Sequence, residues 1–293
     1  MINIDDKEII GTGGMSVVYK LNDALAVKVF RQGITHIDVL HEYDMAHRAY
    51  AFGMPTPQPH EIVTIGSQYA ITYDLLQGDT LSQAITEHPD NLPAYAQEMS
   101  KLYKKLHSVN IDNTKQIPNA HKSIEDAIRR VAPIFGSDGA DKLMTILHSI
   151  PQGHKLIHCD LHPRNIMIHH GKMMIIDMGE VGYGNPFIEM ANVHALMTSG
   201  LVDVQHFMGF PDKYAKPLWS MVLGHYYNGL SSSEFSETVR NLDIASLIRC
   251  FTWLAVSDGL PQEVITRFQG HFKRCVTDRW EMIKEHSALL QTP

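Results

Sequence analysis

The apolar pattern changes character along the chain. Up to about residue 75, short apolar runs at 8–10, 17–19, 24–30, 60–65 and 69–75 are separated by Gly, Pro and Ser turns. Runs of this length, rich in β-branched and aromatic residues, predict strands. One helix interrupts them at 35–52, where Leu40, Met45, Ala46 and Ala49 recur at helical spacing around Glu42, before Pro55-Thr56-Pro57-Gln58-Pro59 breaks the pattern. Beyond 76, helical spacing recurs at 80–87, 92–109, 119–134, 138–149, 187–199, 212–229, 233–257 and 261–288. The exception is 166–176, where two apolar runs flank His169-His170-Gly171-Lys172 and predict a tight β-hairpin with Gly at its turn. The expectation is an α+β chain: an N-terminal antiparallel β-sheet lobe with one helix over 1–76, then a larger, mainly helical lobe over 77–293. The strand at 69–75 runs out into a hinge, and a helical insert at about 119–149 follows a polar linker at 110–122. There is no internal repeat.

The predicted hairpin carries the candidate chemistry. His158, Asp160 and Asn165 fall on an H-x-D-x-x-x-x-N spacing, and Asp177 follows the apolar run Met173-Met174-Ile175-Ile176. With the hairpin formed, Asn165 enters one strand and Asp177 leaves its partner, so both side chains stand at one end of the ribbon. Phosphoryl transfer needs these residue types: a carboxylate to orient a hydroxyl, and an amide with a second carboxylate to hold a divalent cation. Taken singly, the same residues also serve as turn caps and strand ends.

Other residues suit the nucleotide side of such a reaction. Gly11, Gly13 and Gly14 lie in a turn between two strands, where backbone N–H groups can approach anionic oxygens, and the Ser16 hydroxyl stands ready to donate to a phosphate. Glycine turns are also common in ordinary hairpins. Lys28 sits within Ala26-Val27-Lys28-Val29. A buried ammonium there calls for an anion, and Glu42 on the following helix is the candidate, unless the Lys tip reaches water instead. Backbone groups from Asp74 to Leu76 are placed to pair with an adenine edge.

Composition removes several classes of function. Formal net charge is −7 and pI about 6.2, without a local run of Lys and Arg, which argues against nucleic acid as a partner. No apolar run reaches membrane-spanning length, and the first residues lack a signal pattern, so no membrane is expected and the expected location is cytoplasmic. Three widely spaced cysteines, Cys159, Cys250 and Cys275, fit reduced thiols rather than a disulfide framework. Eighteen histidines are scattered without close ligand pairs, which argues against a transition-metal site.

Together Gly11 to Ser16, Lys28, Glu42, the hinge, His158-x-Asp160, Asn165 and Asp177 resemble the protein-kinase-like fold over most of residues 5–200. The wording HCDLHPRNIMI and IIDMGEVGYGNPFIEMA is similar to the aminoglycoside phosphotransferase and choline kinase branch, a phosphotransferase enzyme family. That resemblance implies a two-lobed kinase using ATP and Mg²⁺ on a small-molecule hydroxyl acceptor such as an aminoglycoside-like compound, amino alcohol or sugar. It further implies Asp160 as the catalytic base or hydroxyl-orienting residue, Asn165 and Asp177 as Mg²⁺ ligands, Lys28 with Glu42 on the phosphates, and His158 as a brace. The chain departs from the branch at Cys159 and Arg164, where Gly is frequent, and at Gly184-Asn185-Pro186 and Glu189-Met190-Ala191, where Asp is common. His162 stands where protein kinases carry a Lys near the γ-phosphate, or simply packs beside Pro163.

After Asp177 the Gly-rich stretch GEVGYGNP leaves little room for a peptide platform, which favours a small acceptor over a protein. A nucleotide-binding regulatory protein and an atypical protein kinase are the alternatives. Asp203, Glu234, Asp243 and Asp258 could attract a cation, and Trp219, Tyr226, Tyr227 and Trp253 could stack on it, although caps and core are the plainer roles.

Overall fold

The structure is a computed structural model that describes residues 2–112, 117–201, 203–253 and 260–287. Its contacts divide the chain into two compact units, Met1–Glu87 with Leu161–Val181, and His88–Asp160 with Gly182–Pro293. The fold is α+β, with an N-terminal five-stranded antiparallel sheet and a larger helical part. No helix among the described residues is long and apolar enough to cross a membrane.

In the first unit, β1 (Ile9–Thr12), β2 (Ser16–Lys20), β3 (Leu25–Phe30), β4 (Pro59–Ile65) and β5 (Gln68–Asp74) form a sheet ordered β1-β2-β3-β5-β4. Side chains alternate across a strand. Val27 and Val29 therefore pack with Ala70 on one face, while Phe30 packs with Val39 and Ile71 on the other. Val39 belongs to α1 (His36–Ala51), whose Thr35/Asp38 capping box fixes its start. Val39, Glu42, Ala46 and Ala49 fall on its buried stripe. The periodicity of β3 thus sends Lys28 to the same side as Phe30, toward the helix that carries Glu42.

The segment after β5 is tied to the hairpin of β7 (Ile166–His169) and β8 (Lys172–Ile175). Ile168 N–H donates to Asp79 O (2.8 Å), Gln77 N–H donates to His169 Nδ1 (2.9 Å), and Thr80 bridges Met167, just before α2 (Leu81–Glu87). Gly78 makes this approach possible: its φ is +124°, and a Cβ there would lie 2.1 Å from Ile168 O. The hairpin turn is His170-Gly171, with φ of 48° and 76°. Two successive positive values are the signature of the two-residue turn whose twist matches antiparallel strands.

The second unit holds α3 (Leu92–Ser108), α4 (Ala120–Ser149), α5 (Pro186–Thr198), α6 (Val204–Met208), α7 (Ala215–Tyr226), α8 (Ser232–Thr252), α9 (Gln262–Cys275) and α10 (Trp280–Ser287). Helix α5 is apolar on nearly every side, as a helix surrounded by others must be. Asn185 caps it by accepting from Phe187 N–H (3.0 Å), with Pro186 in the first turn, so Asn takes the capping task where Asp is common. Helix α4 is broken at Gly136 (φ 76°, ψ 167°), between the two helical segments expected there.

Three features differ from the periodicity. A two-stranded pair, β6 (Lys155–Ile157) with β9 (Gly182–Gly184), is too short to show alternation. The five residues of α6, capped by the Asp203 side chain and ended by left-handed Gly209, are too few for a helical stripe. The single helix expected at 261–288 is interrupted by a turn at Thr277–Arg279, where Thr and Asp are weak helix formers. Part of the linker at 110–122, the residues 254–257 of one expected helix and residue 288 of another lie outside the described residues.

Gly78→Ala should lower stability by at least about 1–3 kcal/mol, because it meets both the positive φ and a carbonyl. Gly53 (φ +74°) has open space around it, so Gly53→Ala should show the backbone cost alone, about 1–2 kcal/mol. Urea unfolding midpoints of the two variants test the difference.

Candidate active site

The first unit gathers three charged side chains from far apart in sequence. Lys28 Nζ lies 2.6 Å from Glu42 Oε1 and 2.9 Å from Asp177 Oδ1. The Lys28 and Glu42 side chains are 14% and 9% exposed, whereas that of Asp177 is 54% exposed. Tyr73 donates to Glu42 Oε1 (3.4 Å) from the neighbouring strand. Burial by itself pulls the Lys28 ammonium down, yet Glu42 and Asp177 outweigh it and hold its pKa above the usual value. Glu42 is pushed up by its own burial and by the charge of Asp177, against the pull of Lys28. Two carboxylates therefore share one ammonium.

The hairpin places Asn165 beside this group in the covalent frame. Ile166 pairs with Ile175, and Ile176 N–H donates to Asn165 O (3.0 Å), so Asn165 and Asp177 stand at the same end of the ribbon. Asn165 closes a tight turn, Pro163–Asn165, in which its N–H donates to His162 O (2.8 Å). Asp177 adopts a left-handed conformation (φ 64°, ψ 70°), which sets its carboxylate off from the strand direction. Non-Gly residues in this region carry backbone strain and gather at functional sites. Gly179 follows, its carbonyl 3.1 Å from His41 Nε2, so α1 contacts the segment on both sides of Glu42's turn.

The glycine-rich turn lies between β1 and β2. Gly11 sits at a register shift in β1, Gly13 N–H donates to Ser16 O (2.9 Å), and no atom lies within 4 Å of a Cβ built on Gly14. Arg164 donates to Thr12 O (3.1 Å) and Arg31 to Gly13 O (3.1 Å), which tethers the turn through its carbonyls. Ser16 is 6% exposed at the start of β2. At the hinge, Asp74 N–H donates to Gln58 O and Leu75 N–H to Ala24 O, and the Asp74 carboxylate holds His60 Nε2 (2.9 Å). Asp74 is thus used structurally, and Leu76 follows with its backbone outside the sheet pairing.

Asp160 belongs to the second unit, where α5 and α8 hold its loop. Glu189 on α5 is fully buried. One oxygen accepts from His158 N–H (3.1 Å) and the other lies 2.7 Å from His107 Nε2, whose Nδ1 meets Tyr226 Oη at 2.7 Å. One turn on, Asn192 donates to Cys159 O (3.0 Å). His158 is itself buried, and its Nδ1 accepts from Asp160 N–H (3.3 Å). Cys159 has φ 69°, the left-handed value that explains why Gly is frequent at this position. The Arg249 guanidinium of α8 donates to Asp160 Oδ1 (3.1 Å).

A model of the phosphotransferase enzyme family matches residues 9–207, more than half of the chain. The chain belongs to this family. It is a phosphotransferase that acts on hydroxyl groups. No curated protein matches the chain. Solved structures with the same fold include the ADP-bound aminoglycoside phosphotransferase APH(2'')-Ib, 15% identical with a TM-score of 0.63 over 94% of this chain and 95% of that one. A thermostable mutant of aminoglycoside phosphotransferase APH(4)-Ia, in ternary complex with AMP-PNP and hygromycin B, is 15% identical with a TM-score of 0.61 over 97% and 94%. APH(3'')-Id from Streptomyces rimosus is 14% identical with a TM-score of 0.52 over 82% and 92%.

Within this phosphotransferase, Glu189, Asn192, Tyr73 and Arg249 were not singled out by their sequence spacing. Glu189 and Asn192 differ by three positions on a helix that leads out of the Gly-rich stretch, a weak signal in an apolar segment. Arg249, 89 residues from Asp160, has none. Of the acids considered for a cation, Asp203 and Glu234 cap helices and Asp243 holds His194, while Asp258 lies outside the described residues. Trp219 is buried and donates to His194 Nδ1, and Tyr227 packs edge-on against Tyr226.

Lys28→Met should destabilise the protein by about 3–5 kcal/mol at neutral pH, because it leaves Glu42 buried without its cation. Glu42 then stays raised by burial and by Asp177. A raised folded-state pKa favours the protonated form, so the deficit should shrink as pH falls from 7 toward the carboxylate range. Denaturant unfolding of the variant across that window, beside the Lys28→Met/Glu42→Gln double variant, checks both the sign and the coupling.

Proposed function

We propose that this phosphotransferase is a kinase that transfers the γ-phosphoryl group of ATP, with Mg²⁺, to a hydroxyl of a small molecule. The observation that carries this reading is the buried Lys28 ammonium held by Glu42 and Asp177, with Asn165 at the same end of the hairpin as Asp177. The reading divides the chain into a nucleotide-binding part over 1–76 and a catalytic and acceptor-binding part over 77–293. The ADP, AMP-PNP and aminoglycoside ligands named with structures of the same fold support a nucleotide donor and a small acceptor.

The donor set suits Mg²⁺. That ion prefers oxygen ligands and is usually bound by one or two carboxylates with substrate phosphates and water. Asp177 and Asn165 offer a carboxylate and an amide oxygen. No group of three or more His, Cys, Asp or Glu gathers as a metal site among the described residues, and a site completed by phosphates needs none. Two carboxylates on one ammonium leave a surplus negative charge, and Asp177 is the more exposed of them, at 54%. When bound, Mg²⁺ would neutralise the charge of the transferring phosphoryl group.

The residues of the chain then divide the work. Lys28, kept charged by Glu42, steadies the donor phosphates, and the backbone of Gly11, Gly13 and Gly14 cradles them. The Ser16 hydroxyl at the start of β2 is the side-chain donor of that turn to a phosphate. Leu76 offers backbone groups to the base, with Asp74 anchoring the strand beneath. Asp160 orients the acceptor hydroxyl and takes its proton as the oxygen bonds to phosphorus, the bond to the β,γ-bridging oxygen breaks, and ADP leaves.

ATP consumption coupled to a panel of sugars, amino alcohols and aminoglycosides tests the reading. Asp160→Asn should lower turnover about 10²–10⁴-fold with little change in nucleotide affinity. Unchanged turnover in that variant, or transfer of radiolabel to lysate proteins but to no small molecule, would overturn it.

A further inference from the structure

The Arg249 contact to Asp160 bears on the acceptor. We propose that Arg249 is a positioning residue that holds Asp160 and selects acceptors carrying a carboxylate or phosphate near the reacting hydroxyl, against polycations. The proposal rests on the reading of Asp160 as the hydroxyl-orienting residue.

Four observations support it. First, Arg249 Nη2 lies 3.1 Å from Asp160 Oδ1, with both side chains mostly sheltered, at 22% and 26% exposed. Exposed ion pairs of this kind carry little weight, but shelter from solvent raises the influence of each charge. Second, only one edge of the fork meets Asp160 Oδ1, and Nε is buried with no hydrogen-bond partner. A guanidinium presents donors in a planar fork suited to oxyanions, and one with an unsatisfied donor gains by turning toward a better match. Third, of the acids considered for a cation, the three among the described residues are committed elsewhere, as is Glu189. Asp203 and Glu234 cap helix starts, Asp243 accepts from His194, and Glu189 holds His107 and His158. Fourth, Trp253 lies one turn beyond Arg249 on the same helix and meets Phe207 edge-on at 5.8 Å and Phe268 face-on at 6.3 Å. Phe207 is 44% exposed. A cation followed by a flat apolar wall suits a carbon skeleton with an anionic end.

Steady-state kinetics with ATP and gluconate, sorbitol, glucosamine or kanamycin as acceptor test the proposal in the wild type, Arg249→Lys, Arg249→Gln and Asp160→Asn. The wild type should favour gluconate, and Arg249→Gln should lower its kcat/KM about 10–100-fold, mostly through KM, while sorbitol loses less. Arg249→Lys should restore the charge order but not the full kcat, since it keeps the charge and loses the fork. A uniform loss with all acceptors in Arg249→Gln, or wild-type preference for kanamycin, overturns the proposal and leaves the kinase reading intact. If Arg249→Gln fails to fold, as judged by thermal melting, the charge order of the wild type and of Arg249→Lys decides in the same way. No turnover with any acceptor, or full turnover in Asp160→Asn, withdraws the underlying reading instead.

Discussion

A lysine ammonium removed from water governs the first unit of this phosphotransferase. Taking such a charge out of solvent costs several kcal/mol even after relaxation. At an effective dielectric of about 20, a carboxylate at hydrogen-bond distance returns roughly 5 kcal/mol. One partner thus about balances the cost, and the second decides the outcome. Glu42 is supplied by the helix packed on the sheet, and Asp177 by a hairpin 149 residues away. The sheet, the helix and the hairpin have to be assembled together for Lys28 to be satisfied, so its ion pairs report on the integrity of the whole unit.

The second unit solves a different problem, which is to fix a backbone in a conformation that its side chains resist. Cys159 occupies left-handed space immediately before Asp160. The cost of about 1–2 kcal/mol is offset by hydrogen bonds to both sides of the residue: Glu189 receives the His158 amide, and Asn192 donates to the Cys159 carbonyl. Glu189 is acceptable in a fully buried position because His107 lies against its other oxygen. The loop that carries Asp160 is therefore held by backbone contacts from one helix, and the Arg249 guanidinium of another meets the Asp160 carboxylate.

Much of this was legible in the residues. A lone ammonium in an apolar strand called for an anion beside Lys28, helical spacing offered Glu42, and the turn within His169-His170-Gly171-Lys172 set the hairpin that brings Asn165 and Asp177 to one end. Each follows from local rules with a short reach. The pair β6 and β9 and helix α6 escaped because three to five residues cannot display a period. Ser16, whose hydroxyl was expected to donate to a phosphate, stands at the start of β2 with 6% exposure. Arg249 escaped for another reason: its partner is set by how α8 packs on α5, and nothing near it in sequence encodes that.

The arginine also changes what fold likeness can say about the acceptor. Family membership fixes the reaction class, and the fold is shared with structures only 14–18% identical to the chain. On the proposed reading, acceptor choice depends instead on side chains brought by the helices of the second unit, Arg249 among them. An acceptor pocket built for polycations needs uncommitted carboxylates. Here Asp203 and Glu234 cap helices, Asp243 holds a histidine, and the charge set against Asp160 is positive. On that reading, electrostatics at the acceptor side can diverge while Lys28, Glu42 and Asp177 persist, because the stability of their unit depends on their ion pairs.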